Sequence, residues 1–190
     1  MLLFGAVAAA FAVLSTSALA GSGGIYRVPS AAMEPTLRVG VIVVVVPDPH
    51  PSVGDIIVFH PPAGALDEIC GNVHEKPAQA CAQPTKQPSS ANYIKRIVAG
   101  PGDTFLMRNG RAYRNGKLEQ QGYASFAGCT KSAPDCNYPT PIRIAAGYYF
   151  TLGDNRDQSD DSRFWGPVPS HWIIGNAFVT YWPPDRIGLF

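Results

Sequence analysis

Apolar residues fall along this chain in two kinds of run. The first, "MLLFGAVAAAFAVLSTSALA" at residues 1–20, carries no charge and is long enough as a helix to cross roughly 30 Å of hydrocarbon. The others are short, rich in β-branched residues and bounded by Gly, Pro or Asn. "RVGVIVVVV" (38–46) and "VGDIIVFH" (53–60) flank the Pro-rich "PDPHP" and predict two neighbouring strands joined by a rigid turn. "NYIKRIVAGPGDTFLM" and "GRAYRNGKLE" predict two or three more, with Gly-Pro-Gly and Asn-Gly turns. "GYYFTLGD" reads as a strand entering an acidic turn, and "IIGNAFVTYW" as a last strand. Residues 61–92 show neither helical nor strand periodicity and read as an excursion loop, and 119–143 is again loop-rich. The pattern predicts a mainly β fold after an N-terminal apolar helix.

Composition adds limits. A chain of 190 residues, 46% hydrophobic and 15% charged, can build one domain with a core of its own, with room for a smaller appended lobe. The net charge is +1 with no Lys/Arg run, which leaves no electrostatic footprint for nucleic acid. Three roles are open for residues 1–20: a membrane anchor, which we favour, a cleaved signal segment ending at Ala18-Leu19-Ala20, or a buried helix. The first basic residue is Arg27, so the positive-inside rule gives no orientation. "GSGG" begins a tether expected over 21–27, and the domain is expected over 28–190.

The cysteines fall in two local pairs, Cys70 with Cys81 and Cys129 with Cys136, which predicts two short-range disulfides in an exported domain. The rival is a zinc site using Cys70, His74 and Cys81, whose spacing matches no usual ligand pattern; no metal and no cofactor is expected.

Candidate chemistry lies in three places. On a strand, Lys95 shares a face with Tyr93 and Ile97, while Arg96 lies with Ile94 and Val98 on the other. Periodicity does not choose between the two cations. Chemistry does, because arginine stays protonated and lysine becomes a base once burial lowers its pKa. The plainer alternative is a pair of surface cations guarding an edge strand. The turn "GDNRDQSDDSR" (153–163) is read by itself as a solvated acidic turn; as a calcium loop its ligand order matches no EF-hand.

Taken in order, "SAAMEPTL" (30–37), "YIKRIVAGPGD" (93–103) and "LGDNRDQSDDSRFWGPV" (152–168) resemble the principal boxes of bacterial type I signal peptidases, membrane-anchored Ser/Lys endopeptidases. The resemblance spans residues 28 to about 184 and implies a β-rich catalytic core on the extracytoplasmic side of a single-pass cell-membrane protein. It also implies an extra lobe, at about 105–145. By that resemblance Lys95 is the general base and Ser159 the hydroxyl that orients it. Asp161 and Arg163 form a structural ion pair, and Gly153 and Asp154 begin the turn. Ser30 is the hydroxyl on the oxyanion side. The nucleophile's seat, directly before the Met of the first box, is held by Ala32, which has no nucleophilic atom. Val41, where the box usually continues Gly-Asp, is a second departure.

Ala32 leaves two origins open, an engineered Ser-to-Ala change and a natural subgroup with an altered site. Ser30 is an alternative nucleophile, although in an extended chain it sits about 6.6 Å from position 32, against the roughly 3–3.5 Å that reacting atoms need. The implied partners are membrane lipid and the ends of exported preproteins' signal peptides, added as a strand with small side chains at Ala-x-Ala. Rival readings are a self-cleaving Ser/Lys repressor, a catalytically silent binder of signal peptides, and a structural cell-envelope protein.

Overall fold

The computed structural model describes residues 23–71 and 78–189. The apolar run 1–20 and His74 lie outside them. Among the described residues no helix is long and apolar enough to cross a membrane.

The chain runs through β1 (Gly24–Arg27), β2 (Ile42–Val46), β3 (Ile56–Phe59), β4 (Tyr93–Ala99), β5 (Thr104–Arg108), β6 (Arg111–Arg114), β7 (Lys117–Leu118), β8 (Tyr138–Arg143) and β9 (Tyr148–Leu152). It continues through a single-turn helix α1 (Ser162–Trp165), β10 (Val168–Pro169), β11 (Ile173–Trp182) and β12 (Gly188–Leu189). Two antiparallel sheets result. The larger has the order β1-β2-β11-β3-β4-β9-β10, with β12 on β11; the smaller has the order β7-β6-β5-β8. The fold is mainly β, as the β-branched runs predict.

Three details differ from the sequence expectation, the first being that Tyr138–Arg143, at the end of the stretch read as loop-rich, forms β8 and pairs with β5. The runs that become β2 and β3 are not neighbours, because β11 lies between them, pairing Ala177 with Val45 on one side and Asn176 with Ile57 on the other. The 47–55 connector therefore crosses over a strand, a job its length allows; the run of apolar residues says how a strand is buried, not which strand it pairs with. In the segment expected as a tether, Gly24–Arg27 is a strand paired with Ile42–Val45.

Three apolar clusters frame the site. One, with Val28, Met33, Leu37, Val43 and Val58, lies under the Met-Glu-Pro turn. A second joins Ile57, Phe59, Ile97, Trp165 and Trp172. The third packs the small sheet onto the large one through Phe105, Met107, Ile142, Phe150 and Leu152, with the Phe105 and Phe150 rings stacked at 4.1 Å. Burial of such side chains contributes about 1.5–3 kcal/mol each, so the loops between them are seated on firm layers.

Both cysteine pairs are disulfides, Cys70–Cys81 and Cys129–Cys136. The sulfurs that the zinc alternative needs are bonded to each other. The first bridge closes the 61–92 excursion onto the core, where Cys81 N–H donates to Arg163 C=O at 2.9 Å.

Candidate active site

The first box does not run extended. Residues Ala31–Met33 form a 3-10 turn after an extended Ser30, closed by Glu34 N–H to Ala31 C=O at 3.0 Å and continued by Leu37 N–H to Met33 C=O at 2.8 Å. The expectation that Ser30 and position 32 lie along one straight strand is therefore replaced by a tight turn, favoured because Met33 and Leu37 can then both enter the core. Ser30 and Ala32 still line one cavity of about 370 Å³, together with Met33, Leu66, Tyr93 and Lys95.

Lys95 arrives from β4, opposite Ile57 of β3. Its side chain is 5% exposed, and its Nζ lies 5.7 Å from the centre of the Tyr93 ring. Burial pushes its pKa down from the usual 10.5 to about 8, against the opposing pull of Asp161 and Asp160. About a tenth of it is then free amine at neutral pH. No carboxylate lies within 4 Å of the ammonium among the described residues.

Arg96, next in sequence, turns to the other face and is structural. Its guanidinium grips Asp154 with Nε at 2.9 Å and Nη2 at 2.7 Å, donates to Gly54 C=O at 2.7 Å, and stacks on Tyr123 at 4.0 Å. Asp154 also accepts from Thr36 Oγ1 at 2.6 Å. One carboxylate thus ties the turn of the first box, the Lys95 strand and the acidic turn together.

Asn155 adds a second tie, its N–H donating to Ala32 C=O at 3.0 Å and its Nδ2 to Ala31 C=O at 3.2 Å. Sequence reasoning gave no role to Arg96, Thr36 or Asn155. Gly153 is where the boxes meet most closely, since a Cβ there would collide with both Ser159 Oγ and Ala32 C=O.

Asp161 caps α1 and is fully buried, as is Arg163. They pair through Nε–Oδ1 at 2.7 Å and Nη2–Oδ2 at 2.9 Å, and Asp161 also accepts Gly153 N–H at 3.0 Å. Burial works against the Asp161 charge, but the Arg163 guanidinium and these donors outweigh it and hold the carboxyl below its ordinary range. Arg163 further donates to Ser159 C=O at 2.8 Å and to Asp135 C=O at 2.6 Å, beside the second disulfide. Ser159 is buried under this arch, and its Oγ has no hydrogen-bond partner. The arginine pairs commit Asp154 and Asp161, two of the four carboxylates in this turn.

The sequence-predicted residues thus converge. Ala32, Ser30 and Lys95 line one cavity, Asp160 is a further member of its wall, and Ser159 and Asp161 stand immediately behind in the acidic turn. Chemically, the cavity offers a buried amine of lowered pKa beside a turn whose position 32 presents only a methyl group.

Comparison with known proteins gives consistent matches. The family model described as "Signal peptidase, peptidase S26" matches residues 1–182. A probable signal peptidase I-2 of Synechocystis is 33% identical over 166 residues, covering 85% of this chain and 64% of that protein. Signal peptidase I of Leptolyngbya laminosa is 35% identical over 165 residues, covering 85% and 70%. Thylakoidal processing peptidase 1 of Arabidopsis thaliana is 32% identical over 179 residues, covering 92% and 46%. This chain therefore spans 64% of the length of the Synechocystis protein and about half that of the Arabidopsis one.

Proposed function

The chain belongs to the signal peptidase family, peptidase S26, and from that premise we propose that it carries a type I signal peptidase site directed at the ends of exported preproteins' signal peptides, with the attacking oxygen missing. In this reading residues 1–20 anchor the protein in the cell membrane and the β domain works on the extracytoplasmic side. A peptide ending in Ala-x-Ala adds as a strand, and its small side chains enter the apolar part of the cavity walled by Pro29, Met33, Leu66 and Ile94.

The observation that carries the proposal is Lys95, a lysine buried in a peptide-sized cavity with its pKa brought towards neutrality. A buried ammonium is unfavourable in a purely structural role, whereas a base for a serine hydroxyl needs exactly such a shift. Ser159 Oγ, buried and unbonded, is the group that would orient the amine. Ser30 supplies a hydroxyl on the side where an oxyanion forms. With Ala32 at position 32 the chain holds a bound peptide and turns it over poorly.

The test is a titration of the folded domain with a synthetic Ala-x-Ala peptide and a control carrying bulky side chains at both Ala positions. The proposal expects saturable binding of the first and at least tenfold weaker binding of the second. Equal binding of the two, or none of either, contradicts it. A second reading, with Ser30 as nucleophile, draws on its place in the same cavity; it requires the unaltered chain to cleave and Ser30→Ala to stop it.

A further inference from the structure

The acidic turn puts three carboxylates near Lys95, and two are already committed. Asp154 is held by Arg96 and Thr36. Asp161 is held by both forks of Arg163 and by Gly153 N–H. Asp160 differs. Its Oδ2 has a long contact from Tyr93 Oη at 3.4 Å, and the Trp165 indole N–H is a neighbouring donor that is too poorly aligned to close a hydrogen bond to the buried Oδ1. It also lines the same cavity as Lys95, Ser30 and Ala32. A buried carboxylate so loosely bonded is unfavourable, and its place in the wall turns its charge towards the cavity that Lys95 also lines.

We propose that Asp160 is a positioning residue for Lys95, a counter-charge across the cavity that holds the lysine's ammonium in place between encounters with peptide. The inference rests on the reading of Lys95 as the base and goes beyond it, by giving that base a partner that the three-box resemblance does not supply.

The charges bearing on the pair are few. Around Lys95 stand Asp161, Asp160 and Asp154 of one sign and Arg163 of the other, with the Tyr93 ring beneath. Around Asp160 stand Lys95, Asp161 and Glu68, with the Trp165 indole N–H and the Tyr93 hydroxyl as its neutral polar neighbours. Asp161 and Arg163 largely cancel as a tight pair, which leaves Asp160 as the carboxylate whose charge Lys95 meets uncompensated. Consistent with a half-buried site, burial pushes the Asp160 carboxyl up to about 6 while Lys95 pulls the other way. Above that pH the carboxylate is charged and favours the ammonium. The sign follows: removing the charge makes Lys95 easier to deprotonate and moves its titration to lower pH.

The experiment uses the chain as it stands, with lysine side chains isotope-labelled and followed by NMR through pH 6–11; the Lys95 signal is assigned by its loss in Lys95→Met. The expected midpoint for Lys95 is near 8, falling by about half a unit or more in Asp160→Asn and returning in Asp160→Glu, with circular dichroism unchanged. A midpoint near 8 that ignores Asp160→Asn, or rises with it, overturns the proposal and leaves the base assignment standing. A midpoint near 10.5 in the unaltered chain removes the base assignment, and this proposal falls with it.

Discussion

At the scale of single residues, the site is a set of local sacrifices. Lys95 gives up hydration to sit between β3 and the Ala31–Met33 turn, and the fold carries that penalty. Its folded pKa lies below its unfolded one, so the unfolded chain binds the extra proton between about pH 8 and 10.5 and stability rises across that window. We expect Lys95→Met, which fills the same space without charge, to raise the unfolding free energy at pH 7 by roughly 2–4 kcal/mol. The gain should shrink towards zero near pH 10.5, as urea titrations at the two pH values would reveal; no gain at pH 7 means that the amine is solvated. The sequence favours Lys95 over Arg96 as the candidate base because arginine stays protonated, and the structure puts Lys95 in the cavity wall and Arg96 in an ion pair. What Arg96 does instead was not legible, since its partner Asp154 lies 58 residues away and no periodicity links the two. In the sequence Gly153 reads as the start of a turn, yet its real constraint is the meeting of Ser159 and Ala32 against it.

At the scale of elements, the apolar runs mark β2 to β6, β9 and β11 near their places, whereas β1 and β8 fall in stretches read as tether and loop; the disulfide pairing followed from proximity along the chain. Strand order did not follow: β11, last of the long strands, enters between β2 and β3, and only the summed packing of the sheet selects that. The 61–92 excursion, empty of periodicity, turns out to wall the cavity through Leu66, which is 82% exposed. Its fixation depends on the Cys70–Cys81 bridge, which spans 11 residues; closing a loop of that size contributes roughly 2–3 kcal/mol. The double variant Cys70→Ser/Cys81→Ser should therefore keep the core, while residues 61–71 become open to proteolysis and Ala-x-Ala peptide binding weakens several-fold. Unchanged peptide affinity with a cleaved loop would take Leu66 out of the recognition surface.

At the scale of the whole molecule, three stretches distant in sequence are drawn to one cavity by a few long-range ties: Thr36 and Arg96 on Asp154, Asn155 on the Ala31–Ala32 carbonyls, and Arg163 on both disulfide loops. These ties act without position 32's side chain, and a hydroxyl added there enters the cavity that Lys95 also lines. The most direct measurement is cleavage of a preprotein bearing an Ala-x-Ala site by the unaltered chain and by Ala32→Ser, followed by gel and by N-terminal sequencing of the product, with circular dichroism matching the two folds. The account predicts that Ala32→Ser cuts after the second Ala, at least a hundredfold faster than the unaltered chain, in line with what a missing nucleophile removes. A folded Ala32→Ser that stays inert, or an unaltered chain that already cleaves as fast, would contradict it.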